Sequence, residues 1–309
     1  MFNIVEKRRW YFIFSAVLIT LSIAAMVIST IQFRQPMRLG IDFTGGSIFV
    51  LRFEQPVTEA DLRTVFSDYG GAILQPLGTP EQHTWQVRMR QVTASEVGSL
   101  LTAVETNLGK IDRDALTFDA VEPAVGGEVA RAAGLAILVA ALIIVAFMWF
   151  SFRRVPNAFR YGVCTIVGMA HNLLVAFGFY ALMGLIAGWE VDALFLTAIL
   201  TVIGFSVQDV IVVFDRIREN IPRHKTEPYE KVVNRSILET LHRSLATQLN
   251  AMFVMIAIIL FGGMTIKPFI ATMLVGMLSE TYSSIFVAVP LLVVWEKAAA
   301  RRAVARATA

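Results

Sequence analysis

The sequence predicts an α-helical membrane protein with six transmembrane helices and an inserted α+β ferredoxin-like extracytoplasmic domain. Of its 309 residues, 56% are hydrophobic and 17% are charged, whereas soluble domains carry about 25% charged residues. Six apolar stretches have about the 20 residues that a helix needs to cross the hydrocarbon core. The region 34–130, between the first two stretches, is ordinary soluble sequence and forms the predicted outer domain.

The first apolar stretch is interpreted as a retained membrane helix rather than a signal peptide. It is longer than the apolar core of a signal peptide, about 7–15 residues, and no small-x-small cleavage pattern follows it. Residues 1–33 therefore form a short cytoplasmic N-terminus and the first span, and residues 131–297 form a five-helix bundle. The six predicted spans are 10–31, 132–152, 161–184, 193–214, 245–263 and 269–295.

The distribution of basic residues orients these spans. With the N-terminus in the cytoplasm, the basic positions that follow the second, fourth and sixth spans all fall inside, as the positive-inside rule requires. The short outer loops carry almost no basic residues, only Lys267. We therefore predict cytoplasmic termini, a cytoplasmic amphipathic segment at 216–243 that lies along the inner membrane surface, and a basic cytoplasmic tail at 298–309. The basic residues that decide this are Arg153, Arg154, Arg160, Lys297, Arg301, Arg302 and Arg306.

The outer domain alternates strand and helix patterns. Thr58 followed by Asp61 predicts a capping box at the start of the first helix. Gly78, Thr79 and Pro80 predict a turn between the second and third strands. The order βαββαβ is typical of a ferredoxin-like sandwich. The predicted strands are 47–53, 72–77, 83–90 and 115–121, and the predicted helices are 58–69 and 93–109.

An acidic residue within the fourth span is the sharpest functional signal. Asp209 is followed by apolar residues for more than one turn, and Ser206 lies three residues earlier on the same face. Ionisable residues at bilayer depth are expensive and therefore indicate function. Arg243, with Thr247 and Asn250 on the same face, offers a partner. An Asp209–Arg243 pair that breaks on protonation would be a switch. The alternatives are a static salt bridge, or an arginine that only marks the interface.

Two other spans carry polar groups. His171 and Asn172 in the third span are either a proton relay or, as we favour, a helix-packing hydrogen-bond pair. In the sixth span, Glu280 is followed one turn later by Ser283. Glu280 is either a second titrating group or the partner of a polar residue on another chain. We predict neither a metal nor a cofactor.

Five motifs stand in a fixed order along the chain. They occupy residues 40–46, 206–220, 234–237, 243–244 and 281–286. Asp42, Gly45 and Gly46 belong to the first motif, and Gln208, Asp209, Asp215, Arg216 and Arg218 to the second. These motifs resemble those of the SecF family, whose members pair with SecD in bacterial protein export. The likeness covers nearly the whole chain, including one span, an outer domain and then five spans.

The resemblance implies an RND-type assembly with SecD beside the SecY-E-G channel of the bacterial inner membrane. Such assemblies use the proton gradient to draw secreted polypeptides outward. Besides the translocating preprotein, membrane lipid is an expected partner, and nucleic acid is not. The residue matching Asp209 is implied to bind protons, with the residue matching Arg243 as its neighbour. No enzymatic activity is expected.

The chain departs from the family pattern at three places. Asn172 stands where an aspartate is common, Gln208 where asparagine is usual, and Glu280 where small residues are usual. We hypothesise that the lost acid in the third span and the gained acid in the sixth are linked.

Three other functions are alternatives to this interpretation. An independent RND-type transporter of lipids or small molecules usually has twice this length, with two six-span halves. An intramembrane aspartyl protease needs two facing carboxylates, and Asp209 has no clear second aspartate. A purely structural subunit is compatible with the sequence.

Overall fold

The computed structural model describes residues 3–70, 72–78, 82–153 and 158–307. The chain forms two compact units. The membrane unit comprises Met1–Arg38, Ala136–Trp189 and Leu194–Ala309, and the outer unit comprises Leu39–Leu135 and Glu190–Ala193. In chain order the elements are α1 Arg8–Phe33, α2 Ile41–Thr44, β1 Gly46–Arg52, α3 Glu59–Ser67, β2 Ala72–Leu77, β3 Thr84–Met89, α4 Ala94–Leu108, β4 Thr117–Val121, α5 Pro123–Phe152, α6 Ala158–Ile186, α7 Ala193–Arg223, α8 Tyr229–Phe261, α9 Lys267–Ser283 and α10 Val289–Ala307.

Within the described residues, six helical stretches are long and apolar enough to cross a membrane. They correspond to the six predicted spans, although most extend further than the hydropathy pattern indicated. The sixth stretch, Lys267–Arg302, contains a π-helical segment at Ser284–Ala288 between α9 and α10. Pro290 lies two residues after the end of this segment, at the second position of α10. Proline has no N–H to donate to the preceding turn, and a wider π-helical turn at this point accommodates the missing hydrogen bond.

The amphipathic segment predicted at 216–243 is not a separate surface helix. Its first part is the end of α7, and its second part is the start of α8, which continues without a break into the fifth span. Val233 and Ile237 of α8 pack in one buried cluster with Phe214 and Ile217 of α7. The apolar face that predicted a membrane-surface helix is therefore used to join two long helices.

Ion pairs connect several helix ends to one another at one end of the membrane unit. Glu230, at the start of α8, accepts from Arg8 of α1 at 3.3 Å and from Lys297 of α10 at 2.5 Å. Arg160, near the start of α6, pairs with Glu296 at 2.6 Å. The N-terminal, 216–243 and C-terminal basic segments thus lie at the same end of the bundle. Arg154 falls outside the described residues.

The outer domain has the predicted ferredoxin-like fold. Among its described residues the strands follow the order β2-β3-β1-β4, and β1 pairs antiparallel with both neighbours. Phe49, Leu51, Leu62 and Phe66 are completely buried between the sheet and the two helices. These residues join alternate positions of a strand to one face of a helix, which is how a two-layer unit closes its core.

Both long helices of the outer domain begin with a capping box. In α3, the Thr58 side chain accepts from the Asp61 N–H, as predicted. In α4, the backbone N–H of Thr93 donates to Glu96 at 3.0 Å. That hydrogen bond lowers the pKa of the Glu96 carboxyl below its usual range. The predicted turn at Thr79 and Pro80 lies outside the described residues.

A seam of small residues joins α1 to α6. The buried side chains of α1 are Ser15, Ser22, Ala25 and Ser29, so its inward face carries no bulky group. Opposite them, Gly178 of α6 approaches so closely that an added Cβ would overlap Ser22. Close backbone contact of this type is how membrane helices associate where the hydrophobic effect between them is lost.

Substitution of Gly178 by Ala is expected to destabilise the membrane unit by roughly 1–3 kcal/mol, because the new methyl group must push α1 and α6 apart. Thermal unfolding in detergent measures the effect. Gly162→Ala on the same helix is the matched control, since nothing lies within 4 Å of a Cβ added there. Equal unfolding temperatures for the two variants would contradict the proposed seam.

Candidate functional site

Three helices bring two acidic side chains and one amide together inside the membrane unit. Asp209 comes from α7, Gln248 from α8 and Glu280 from α9. The Gln248 Nε2 donates to Asp209 Oδ2 at 3.1 Å and to Glu280 Oε2 at 2.5 Å. The exposed fractions of Asp209, Gln248 and Glu280 are 4%, 5% and 0%. The two carboxyl groups therefore share one amide donor in the interior of the helix bundle.

The surroundings of this cluster offer little compensation for charge. Within the part of the chain that the structure describes, neither Asp209 nor Glu280 forms an ion pair, and Glu280 Oε1 accepts no hydrogen bond. Removing one charge from water costs several kcal/mol unless a partner compensates it. Two unprotonated carboxylates at this position would also repel each other strongly in a medium of low dielectric constant.

The predicted pairing of Asp209 with Arg243 is not formed in the structure. Arg243, Thr247 and Asn250 lie on an exposed face of α8. The buried face is formed by Ser244, Gln248, Met252 and Met255, which repeat at helical spacing one residue further along. Because one residue turns a helix by about 100°, this small offset directs Arg243 away from Asp209 and directs Gln248 toward it.

A second polar network adjoins the first along α7 and α9. Asn172 of α6 donates to Ser206 Oγ at 3.0 Å and accepts from Ser279 Oγ at 2.8 Å. Ser206 in turn donates to the Val202 carbonyl oxygen at 2.7 Å. His171 Nδ1 lies 3.3 Å from both Asn172 Oδ1 and Ser279 Oγ. These hydrogen bonds join α6, α7 and α9. The choice between packing and proton relay for His171 and Asn172 stays a prediction.

The remaining predicted residues in the spans have diverse surroundings. Gln208 is exposed on α7. Ser283 is buried, and its hydroxyl donates to the Glu280 carbonyl oxygen at 3.4 Å rather than to the Glu280 side chain. Ser279 and Gln248 were not predicted. Ser279 lies on the buried face of α9 one turn before the predicted Ser283, and Gln248 lies on the buried face of α8 one turn after Ser244 of the 243–244 motif.

The polar motif residues at the end of α7 bind to each other and to α8. Asp215 pairs with Arg218 at 2.5 Å. Arg216 pairs with Glu219 at 2.8 Å and with Glu239 of α8 at 2.6 Å. These contacts hold the polar motif residues at the end of α7 in a partly exposed ion-pair network.

The 234–237 motif also has a structural role. Asn234 Oδ1 accepts from the Ile4 N–H at 2.8 Å, and Arg235 pairs with Glu227 at 3.0 Å. Ser236 Oγ accepts from Asn220 of α7 at 3.0 Å. This motif therefore ties the start of α8 to the N-terminal segment and to α7.

The Gly-Gly motif lies in the outer unit, at the start of β1. Gly45 and Gly46 have φ values of 72° and 127°. These values lie in the left-handed region, which favours glycine. Asp42 lies in α2, and its Oδ2 accepts a hydrogen bond from the backbone N–H of Ala193 at 2.8 Å.

Comparisons with known proteins agree with this architecture. The family model described as protein export membrane protein SecD/SecF, C-terminal, matches residues 101–298, and the SecD/SecF GG motif model matches residues 31–57. A protein translocase subunit SecF of Thermobaculum terrenum is 44% identical over 84% of this chain and 85% of its own length. The chain belongs to the SecF family.

Other SecF relatives and two solved structures are similar over nearly the whole chain. The SecF of Anaerolinea thermophila is 42% identical over 96% of this chain and 94% of its own length. SecDF of Thermus thermophilus, a translocon-associated membrane protein, matches 96% of the chain with a TM-score of 0.80 and 28% identity. A SecDF structure in a super-membrane-facing form matches 100% with a TM-score of 0.68 and 30% identity.

This chain covers 39% and 40% of the length of those two SecDF chains. Together with the six apolar helices, the family membership establishes a multi-pass membrane protein of the export family. The predicted family and fold class are confirmed. The roles of Asp209, Arg243 and Glu280 stay predictions.

Proposed function

We propose that this chain is the SecF-like subunit of a protein-export machinery. With a SecD-like partner it uses the proton gradient to promote the passage of secreted polypeptides through the SecY-E-G channel. One observation carries the proposal of proton coupling: Asp209 and Glu280 are buried, share the Gln248 amide and have no cationic partner among the described residues. A site of this composition binds protons because protonation is the simplest way to reduce its charge.

The charge of this carboxyl pair sets the mechanism. One bound proton leaves a single negative charge shared by two side chains, and a second proton removes it. Each change alters the repulsion between α7 and α9, which Gln248 of α8 bridges. The helices repack in response, and the outer domain moves while it holds the emerging chain.

The energy available from one proton is adequate for such a cycle. A charge that crosses the full membrane potential releases about 2.3 kcal/mol per 100 mV. Since about 1.4 kcal/mol changes an equilibrium tenfold, one proton shifts a two-state equilibrium by roughly 50-fold. This amount suits a ratchet that biases the direction of an already mobile polypeptide.

A SecD-like partner would explain the exposed polar face of α8. Arg243, Thr247 and Asn250 are exposed in the single chain, as is Gln208 on α7. Polar and charged side chains within membrane helices almost always face protein or water rather than lipid. The solved SecDF chains are more than twice as long as the part that this chain matches, which is consistent with a second, SecD-like portion.

The proposed location is the bacterial inner membrane, with both termini in the cytoplasm and the outer domain on the opposite side. The basic helix ends that meet around Glu230 support this orientation, because they fall on the side that the positive-inside rule assigns to the cytoplasm. Membrane lipid surrounds the apolar helix faces. The energy source is the gradient itself, without a cofactor or a chemical reaction.

Pulse-labelling measures the export of a secreted test protein in cells depleted of this chain and thereby tests the proposed function. Export is expected to slow, to recover when the chain is restored, and to lose that recovery when an uncoupler removes the proton gradient. The restored chain is also expected to purify with a SecD-like chain. Normal export in depleted cells would contradict the proposal. So would a recovery of export that does not depend on the proton gradient.

A further inference from the structure

The Asp42 side chain binds a helix end far away in the sequence. Its Oδ2 accepts from the N–H of Ala193, the first residue of α7, at 2.8 Å, although 151 positions separate the two residues. The N–H groups of a helix's first turn have no partner within the helix, and a carboxylate satisfies them and complements the helix dipole. Asp42 thus supplies α7 with a cap from the Gly-Gly motif.

Backbone contacts reinforce this connection on the other side of the motif. The Gly40 N–H donates to the Val191 carbonyl oxygen at 2.7 Å, and Leu39 and Val191 form a parallel bridge. A Cβ added to Gly40 would lie 2.5 Å from that oxygen, so this approach requires glycine. The short connection between α6 and α7 is therefore paired with the motif as if it were a strand.

An ion pair fixes the same connection to the sheet. Arg88 of β3 pairs with Glu190, and the two side chains are 14% and 12% exposed. Arg88 also donates to the Leu39 carbonyl oxygen at 3.2 Å. Residues 190–193 consequently belong to the outer unit, whereas the rest of α7 belongs to the membrane unit. Helix α7 is also the element that carries Asp209, further along the chain.

We propose that Asp42 is a positioning residue that fastens the first turn of α7 to the outer domain, so that a shift of α7 at Asp209 is passed to that domain. This inference rests on the proposed function, because it assigns the route by which proton binding moves the outer domain. It also gives the aspartate of the 40–46 motif a physical task that is separate from the φ requirement of Gly45 and Gly46.

The test compares Asp42→Ala with Asp42→Asn in the full-length chain together with its co-purified partner. Alanine removes the acceptor, whereas asparagine keeps an oxygen that can cap the helix. Hydrogen exchange is measured on peptides that cover 190–200, and gradient-stimulated export is measured in cells. Asp119→Ala, which removes an exposed carboxylate from β4 of the same domain, is the charge-matched control.

We expect Asp42→Ala to speed exchange at the start of α7 about five-fold, which corresponds to the loss of a typical cap. It should also lower gradient-stimulated export by about five-fold or more. Asp42→Asn and Asp119→Ala should stay close to the unchanged chain. Gly40→Ala should reproduce the defect of Asp42→Ala, because it disrupts the backbone approach of Gly40 to Val191 in the same connection.

The outcomes separate this inference from the proposed function. If Asp42→Ala exports normally while depletion of the chain still slows export, the positioning role is wrong and the function stands. If Asp42→Asn is as defective as Asp42→Ala, the carboxylate acts other than as a cap, and the inference is again overturned. A defect in Asp42→Ala and Gly40→Ala that asparagine at position 42 avoids supports it, provided that the chains accumulate equally.

Discussion

Asp209→Asn is expected to remove nearly all gradient-stimulated export, a loss of about ten-fold or more, while the protein still assembles. Asparagine has almost the same shape and can still accept from the Gln248 amide, which Asp209 does at 3.1 Å. It cannot take up or release a proton. Since one proton can bias a two-state equilibrium by roughly 50-fold, removing this step should abolish the stimulation. Pulse-labelled export with and without an uncoupler measures the effect.

Asp215→Asn provides the control for Asp209→Asn. Asp215 lies on the same helix, and its carboxylate is about half exposed and paired with Arg218. Exposed ion pairs contribute about 0–1 kcal/mol, so this substitution should leave export nearly unchanged. Co-purification with the SecD-like partner shows whether each variant assembles. Export by Asp209→Asn at the normal rate would overturn the coupling mechanism and leave a purely structural subunit as the better interpretation.

The number and approximate position of the spans were predictable because a membrane imposes a length and a composition on each span. Helix ends were less predictable, since hydropathy reports where the apolar region ends and not where the helix ends. Helix α7 continues through a charged stretch to Arg223, and α8 begins at Tyr229, well before its apolar part. Pairing of Arg216 with Glu239 stabilises this continuation, and such a contact depends on how two helices meet.

The predicted pairing of Arg243 with Asp209 differs from the structure for another reason. Arg243 was the predicted partner because an opposite charge is the strongest partner for a buried carboxylate. The structure uses the neutral Gln248 instead, and it adds a second carboxyl group from Glu280. A signal was present in the repeat of Ser244, Gln248 and Met252 along one face. Nothing in the sequence indicated that this face of α8, rather than the face that contains Arg243, would turn toward Asp209.

The role of Asp42 could not be predicted from the residues near it in the sequence. Its motif was identified, and the glycines that follow it adopt the conformations that glycine favours. The contact with Ala193 depends on how the α6–α7 connection pairs with the motif. Two segments so distant in the chain meet only through the complete fold.

Glu280→Gln is expected to reduce gradient-stimulated export by about ten-fold, although glutamine keeps the size of the side chain and an oxygen that can accept from Gln248. The reason is that Glu280 lies within the same hydrogen-bonded cluster as Asp209 and has an Oε1 atom without a hydrogen-bond partner. If the two carboxyl groups hold protons jointly, removal of either one changes the charge that the other can carry. Export assays and co-purification, run as for Asp209→Asn, measure the change.

The double variant Asp209→Asn with Glu280→Gln decides whether the two groups act as a unit. Residues that perform one step together lose little more when both are removed than when one is removed. The double variant should therefore export about as poorly as Asp209→Asn alone. Normal export by Glu280→Gln would instead show that Glu280 serves only as an acceptor for Gln248. In that case Asp209 would carry the proton alone, and the acid gained in the sixth span would not replace the one absent at Asn172.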